Sequence, residues 1–98
     1  MVQAVENLTK FVGTIVGSEP HPELSDYDNV TVQVEHAQPV EGVANMIAVQ
    51  AGERMDVTIR RELLAGAGVG KRIHFRAKRI PNGVMSEPHP AQGDFAVD

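Results

Sequence analysis

The sequence predicts an all-β fold, a small barrel of five or six strands with one short helix between the later strands. Along most of the chain, apolar residues alternate with polar residues at a period of two, which is typical of strands with one buried face. Short clusters containing Gly, Pro or Asn separate these segments. A chain of 98 residues is long enough to bury one core and too short for two, so residues 1–98 are predicted to form a single domain.

Two strands are predicted in the first part of the chain. The first covers residues 11–17, and the second covers residues 29–36, where valines face inward and Thr, Gln and Glu face outward. Residues 1–9 are predicted to be an N-terminal extension. Their apolar residues have helical spacing, which favours a short helix over one end of the barrel.

Two hairpins are predicted next, with a helix between them. Residues 46–50 and 54–60 form the first predicted hairpin, across a turn that contains glycine. A short helix is predicted within residues 61–67, because Glu-Leu-Leu-Ala favours a helix and the glycines that follow end it. Residues 72–80 and 84–86 form the second predicted hairpin, across a Pro-Asn-Gly turn.

Three segments carry a resemblance to a known fold. They are the glycine-bearing strand Phe-Val-Gly-Thr-Ile-Val-Gly at 11–17, the run Gly-Lys-Arg-Ile-His-Phe-Arg-Ala-Lys-Arg at 70–79, and the Pro-Asn-Gly-Val-Met hairpin at 81–85. In this order they resemble the OB-fold, a Greek-key barrel of five strands with its helix between the third and fourth strands. The resemblance covers residues 10–88 and implies binding of single-stranded nucleic acid or oligosaccharide, or docking to a protein, across the sheet. An SH3-like barrel is the alternative.

The basic residues are concentrated in one segment. Residues 54–79 hold eight Lys and Arg residues and two acids, a net charge of +6, whereas the rest of the chain holds one Lys and eleven acids, a net charge of −10. On the predicted strand 72–80, cationic side chains alternate with apolar ones, which places the cations together on the outer face. Such a face attracts anions, and the attraction weakens as salt is added.

This outer face predicts a binding module for single-stranded DNA or RNA, held through the phosphate backbone. The chain has four aromatic residues, and Phe11 and Phe75 are in inward phases, so we expect little base stacking. The predicted nucleic-acid-binding residues are Arg54, Arg60, Lys71, Arg72, His74, Arg76, Lys78 and Tyr27. The alternatives are a charged face that serves only solubility, and a protein partner or homo-oligomer that uses exposed Met46, Met55 or Met85.

The last residues, 89–98, are predicted to be an acidic and flexible tail. After Pro90 the chain continues as Ala-Gln-Gly-Asp-Phe-Ala-Val-Asp. One hypothesis is that this tail folds back over the basic face, with Phe95 as its anchor, and competes there with a nucleic acid.

A second unusual feature is an internal repeat. Residues 18–26 and 86–94 both begin with Ser-Glu-Pro-His-Pro and match at six of nine positions. His21 and His89, with the carboxylates at the matching positions Glu19, Asp26, Glu87 and Asp94, offer ligands suited to zinc, nickel or copper. The alternatives are that the prolines on both sides of each His only end the preceding strand, or that a partner recognises these segments.

Several function classes are excluded or disfavoured. The Gly-rich run at 66–71 lacks the spacing of a phosphate-binding loop, and no other catalytic motif is present, so we expect neither enzyme activity nor a cofactor. The absence of cysteine removes disulfides and thiolate catalysis and suits the cytoplasm, which is the predicted location. No apolar run approaches the length of a membrane span, so no membrane association is expected.

Overall fold

The computed structural model describes residues 6–98, most of which lie in strands. The elements are β1 (Thr9–Pro20), β2 (Tyr27–Pro39), β3 (Arg54–Arg60), α1 (Arg61–Leu64), β4 (Arg72–Ile80), β5 (Gly83–Ser86) and β6 (Ala96–Val97). The predicted N-terminal helix lies mostly outside the described residues. No helix within residues 6–98 has the length and the apolar character needed to cross a membrane.

Five of the strands close into a barrel. Strand β1 pairs antiparallel with both β2 and β4, β2 pairs with β3, and β4 pairs with β5. The circle closes where Thr58 of β3 lies beside Met85 of β5 in a parallel bridge. The resulting order, β1-β2-β3-β5-β4, confirms the predicted all-β barrel, and α1 lies between β3 and β4 as predicted. Both features are consistent with an OB-like barrel.

The core fills the inside of this barrel. Phe11 on β1 lies opposite Phe75 on β4, both side chains are fully buried, and their rings stack with centroids 5.5 Å apart. Aromatic pairs in this arrangement contribute roughly 0.5–1.5 kcal/mol beyond the burial of their surface. The inward valines predicted for the second strand, Val30, Val32 and Val34, are also buried. The period of two therefore identified the inner face correctly on β1, β2 and β4.

Strand β1 bends because its register with β2 shifts twice, between Val12 and Gly13 and between Ile15 and Gly17. Such bulges increase the local twist of a strand, which lets one strand pair along both of its edges. Gly13 lies at a close approach of the two backbones. A Cβ atom there would lie 2.6 Å from Cγ1 of Val32 and closer still to the carbonyl oxygen of Gln33.

The predicted hairpin between residues 46–50 and β3 is wrong. Residues 45–50 form no strand, and β3 pairs instead with the first half of β2, from Tyr27 opposite Arg60 to Gln33 opposite Arg54. Residues 46–50 alternate in burial rather than in polarity, since Ile47 is buried in the core and Val49 is half-buried while Met46, Ala48 and Gln50 are exposed. A period of two shows which side chains are buried, but it does not identify the strand's partner.

The five strands of the barrel span residues 9–86, and β6 is an additional strand outside it. Within residues 89–98, which were predicted to be an acidic flexible tail, β6 pairs antiparallel with β4 at Ile73 and His74, and Phe95 packs against the core. At the other end, β1 begins at Thr9. The two-residue strand β6 is too short to give a clear pattern in the sequence.

Replacement of Gly13 by Ala tests the close approach of β1 and β2. We expect Gly13→Ala to lower the free energy of unfolding by about 1–3 kcal/mol, because the added methyl group must displace Val32 or the backbone of Gln33. Urea denaturation followed by circular dichroism measures the change.

Gly17→Ala is the matched control, since a Cβ atom there meets only Thr31, at 3.5 Å, which is an ordinary contact. We expect its midpoint of unfolding to stay close to that of the wild type. Equal loss of stability in the two variants would contradict the assignment of Gly13 as the tight point.

Candidate anion-binding site

Strand β4 carries the basic face that the sequence predicts. Ile73, Phe75 and Ala77 are buried, and the residues that alternate with them point to the outside of the barrel. Of these four outward residues, Arg72 and Lys78 are exposed, whereas His74 and Arg76 are half-buried. The predicted alternation of a cationic outer face and an apolar inner face is therefore present along this strand.

Four of the basic residues are bound by acids of the same chain. The ion pairs join Arg60 to Glu62 at 2.9 Å, Arg61 to Asp28 at 2.8 Å, Arg72 to Glu35 at 3.1 Å and Arg76 to Glu87 at 2.7 Å. An arginine in such a pair must exchange one partner for another before it can bind a phosphate, so it adds less to binding than a free cation does. Three of the predicted nucleic-acid-binding residues, Arg60, Arg72 and Arg76, belong to this group.

Arg76 makes the most extensive of these contacts. Its Nε and Nη2 donate to the two carboxylate oxygens of Glu87 at 2.7 and 2.8 Å, and Nη2 lies 3.5 Å from Oδ2 of Asp94. The side chains are only 25%, 25% and 27% exposed, respectively, so solvent screens the contacts less than on an open surface. The hydrogen bonds that Arg76 donates to Glu87 are the main cause that raises the pKa of Arg76, against the effect of burial. The guanidinium is charged at neutral pH.

The remaining five basic side chains have no ion pair or side-chain hydrogen bond within residues 6–98. They are Lys10, Arg54, Lys71, Lys78 and Arg79. These cations are available to an anion without the loss of an existing contact. Their positions therefore decide where an anion is attracted.

Two of the five line one groove of the described molecule. Lys78 and Arg79 lie at the end of β4, beside residues 6–8 that precede β1, in a groove of about 510 Å³ that His89 also lines. Asn7, which is buried, fixes this end of β4: its Nδ2 donates to the carbonyl oxygen of Arg79, and the Arg79 amide donates to its Oδ1. Glu6 and Glu87 also line the groove, so its charge is mixed.

Lys10 extends this cationic region onto the outer face of the sheet. It lies directly opposite Arg76 in the pairing of β1 with β4, so it is a diagonal neighbour of Lys78. Diagonal neighbours on one sheet face have Cα atoms about 7–8 Å apart, a distance that long side chains can bridge. We call Lys10, Lys78 and Arg79 the cation cluster.

Two members of the cation cluster were missed from the sequence. Arg79 is in the inward phase of β4, but it lies one residue before the strand ends at Ile80 and is exposed rather than buried. Lys10 is the single Lys or Arg outside residues 54–79, so the comparison of net charge between segments did not point to it as a site residue. The pairing of β1 with β4 is the signal that would have found Lys10.

Other predicted site residues lie away from the cation cluster. Lys71 and Lys78 are seven residues apart along an extended segment, a separation of roughly 23 Å. Tyr27 begins β2, whereas the groove lies near the opposite end of β2, where Pro39 pairs with Thr9. Among the described residues that line the groove, none is Phe, Tyr or Trp. The predicted stacking residue Tyr27 therefore lies beside Arg60, which pairs with it, and away from the cation cluster.

The two repeated segments have different environments. In the first, Nδ1 of His21 accepts hydrogen bonds from the amides of Glu23 and Leu24, at 3.1 and 3.0 Å, so the imidazole shapes a turn. In the second, the carboxylates bind Arg76 and His89 lines the groove. No group of three or more His, Asp or Glu side chains in the described part of the chain is arranged to hold a metal ion.

Exposed apolar residues give little support for a protein interface. The exposed large hydrophobic residues between positions 6 and 98 are Leu24, Met46 and Val69, and each lies in a different loop. Met55, one of the residues that a protein interface was predicted to use, is buried in the core. The strands of the described barrel therefore offer charge rather than apolar surface.

Comparison with known proteins assigns no family: no family model matches the chain, and no curated protein matches it in sequence.

Glu87→Gln tests the contact at Arg76. We expect it to lower the free energy of unfolding by about 1–2 kcal/mol, because the half-buried guanidinium loses a charged, two-point partner. The matched control is Glu62→Gln, since Glu62 pairs with Arg60 but is 82% exposed, and exposed pairs contribute less than about 1 kcal/mol. Thermal and urea unfolding of both variants measure the difference, and a larger loss in Glu62→Gln would contradict it.

Proposed function

We propose that this protein is a non-enzymatic binding module that holds single-stranded nucleic acid by its phosphate backbone at the cation cluster. Two observations support the proposal: Lys78 and Arg79 line one groove at the end of the barrel, and Lys10 is the diagonal neighbour of Lys78 in the pairing of β1 with β4. None of the three has an ion-pair partner in the described residues. A phosphate oxygen that contacts Lys78 or Arg79 displaces no existing ion pair.

The number of cations sets the expected strength of binding. Each phosphate of a single strand that is neutralised changes the logarithm of the binding constant by about −0.7 per unit logarithm of salt concentration. With three cations the expected slope is about −2. Binding is then measurable at low salt and weak at physiological salt.

The lining of the groove also sets the expected specificity. Because its described lining includes no Phe, Tyr or Trp, and His89 is the sole aromatic ring among those residues, we expect little of the base stacking that supplies affinity in many single-strand binders. The contacts to phosphate carry no sequence information. We therefore expect DNA and RNA of different sequences to bind with similar affinity.

A pair of charge-neutralising variants tests the location of the site. We expect the double variant Lys78→Gln, Arg79→Gln to bind a fluorescently labelled oligothymidylate more weakly at low salt than the wild type does. The magnitude of its salt slope should fall by roughly 1.4, the share of two phosphate contacts. Fluorescence anisotropy at several salt concentrations measures both quantities.

The double variant Arg54→Gln, Lys71→Gln is the matched control, because it removes the same charge from cations that do not line the groove. We expect it to keep most of the salt slope. If both double variants lose affinity equally, the groove is not the site, and if the wild type fails to bind at low salt, the proposed function is rejected.

A further inference from the structure

Arg76 lies in the middle of the cation cluster but is occupied by the chain itself. It is directly opposite Lys10 and two residues from Lys78 on the same outer face of β4. Its guanidinium is nevertheless bound by Glu87 and Asp94, both from the segment that follows β5. Arg76 is therefore the residue best placed to hold a phosphate together with Lys10 and Lys78, but two carboxylates already bind its side chain.

The geometry of this contact is the one that a phosphate would use. Nε and Nη2 of Arg76 each donate to a different oxygen of Glu87, at 2.7 and 2.8 Å. The planar guanidinium binds two oxygens of a carboxylate or two oxygens of a phosphate in the same forked arrangement. The carboxylate of Glu87 thus binds the guanidinium of Arg76 in the way that a phosphate group would.

Few contacts hold the end of this segment in place. Strand β6 has two residues, its pairing with β4 is limited to Ile73 and His74, and the Asp98 amide donates to the carbonyl oxygen of Arg72 at 2.9 Å. Phe95 and Val97 are only partly buried against the core. Short terminal elements with few buried contacts open more readily than the barrel strands do.

We propose that residues 89–98 form a displaceable cover of the cation cluster, and that a nucleic-acid backbone binds by taking the place of the Glu87 and Asp94 side chains at Arg76. The backbone of residues 87–88 stays in place, because the Glu87 amide donates to the carbonyl oxygen of Arg76 and the carbonyl oxygen of Pro88 accepts from Nε of Arg60. This inference rests on the proposed function, because it concerns the same anion-binding site. With the cover in place three cations are free, and with the cover displaced Arg76 becomes the fourth. For binding that uses Arg76, the apparent affinity equals the affinity of the open form multiplied by the fraction of molecules in which the cover is open.

The internal repeat supplies a matched pair of variants for the test. Glu87→Gln with Asp94→Asn removes both carboxylates that bind Arg76. Glu19→Gln with Asp26→Asn makes the same chemical change at the equivalent positions of the first repeat, where no side-chain ion pair is present among residues 6–98. Both variants change the net charge equally, so general attraction of the anion is the same in each.

Oligothymidylate binding is measured on the full chain by fluorescence anisotropy across a salt series. We expect the second-repeat variant to bind more tightly than the first-repeat variant, because the phosphate no longer has to displace two carboxylates from Arg76. Equal affinities in the two variants, with the wild type still bound, would overturn the cover and leave the proposed function standing. No binding by any of the three proteins would overturn both.

A second measurement on the unmodified protein avoids any effect of substitution on folding. Hydrogen exchange of the Asp98 amide and of the β6 backbone reports whether the cover is attached to β4. Addition of oligothymidylate at low salt should speed exchange at these amides while the amides of β1 keep their protection. Unchanged or slower exchange at β6 in the bound state would overturn the cover.

Discussion

The structure depends on the pairing of β1 along both of its edges. This pairing closes the barrel, and it requires a bent strand with no side chain at Gly13, where the β2 backbone comes too near for a Cβ atom. Closure brings Phe11 onto Phe75 inside the barrel. Because successive side chains point to opposite faces, the same register places Lys10 opposite Arg76 on the outside. One pairing therefore creates both the centre of the core and the centre of the cationic surface.

The electrostatics of the outer face follow from the same closure. The chain has a surplus of acids, and the fold places several of them against the basic strand and its neighbours, so that Glu35 reaches Arg72 across β1 and Glu87 reaches Arg76. Net charge by segment therefore overstates the cationic surface. The attraction that remains comes from the cations that no described acid contacts, and the end of β4 brings Lys78 and Arg79 of this group together beside a groove.

Identical short sequences have different roles in the two repeated segments. Position two of the first repeat is Glu19, on β1, where it lines a polar groove with Asp56, and position two of the second is Glu87, which lies beside Arg76. The difference comes from the neighbouring strand rather than from the segment. A glutamate beside an arginine on a half-buried surface forms a strong, two-point contact, whereas an exposed glutamate interacts mainly with water.

The sequence by itself determined the features that depend on local geometry. A strand has a period of two wherever it occurs, so the inner and outer faces of β4, the turn before Gly83 and the short helix after β3 were all predictable from neighbouring residues. The tertiary structure alone decided which strand pairs with β3, that the last residues form β6, and which cations stay free. Each of these depends on residues distant in sequence, such as Arg72 with Glu35 and Arg76 with Asp94, and a hydrophobic period contains no information on which distant residue becomes the neighbour.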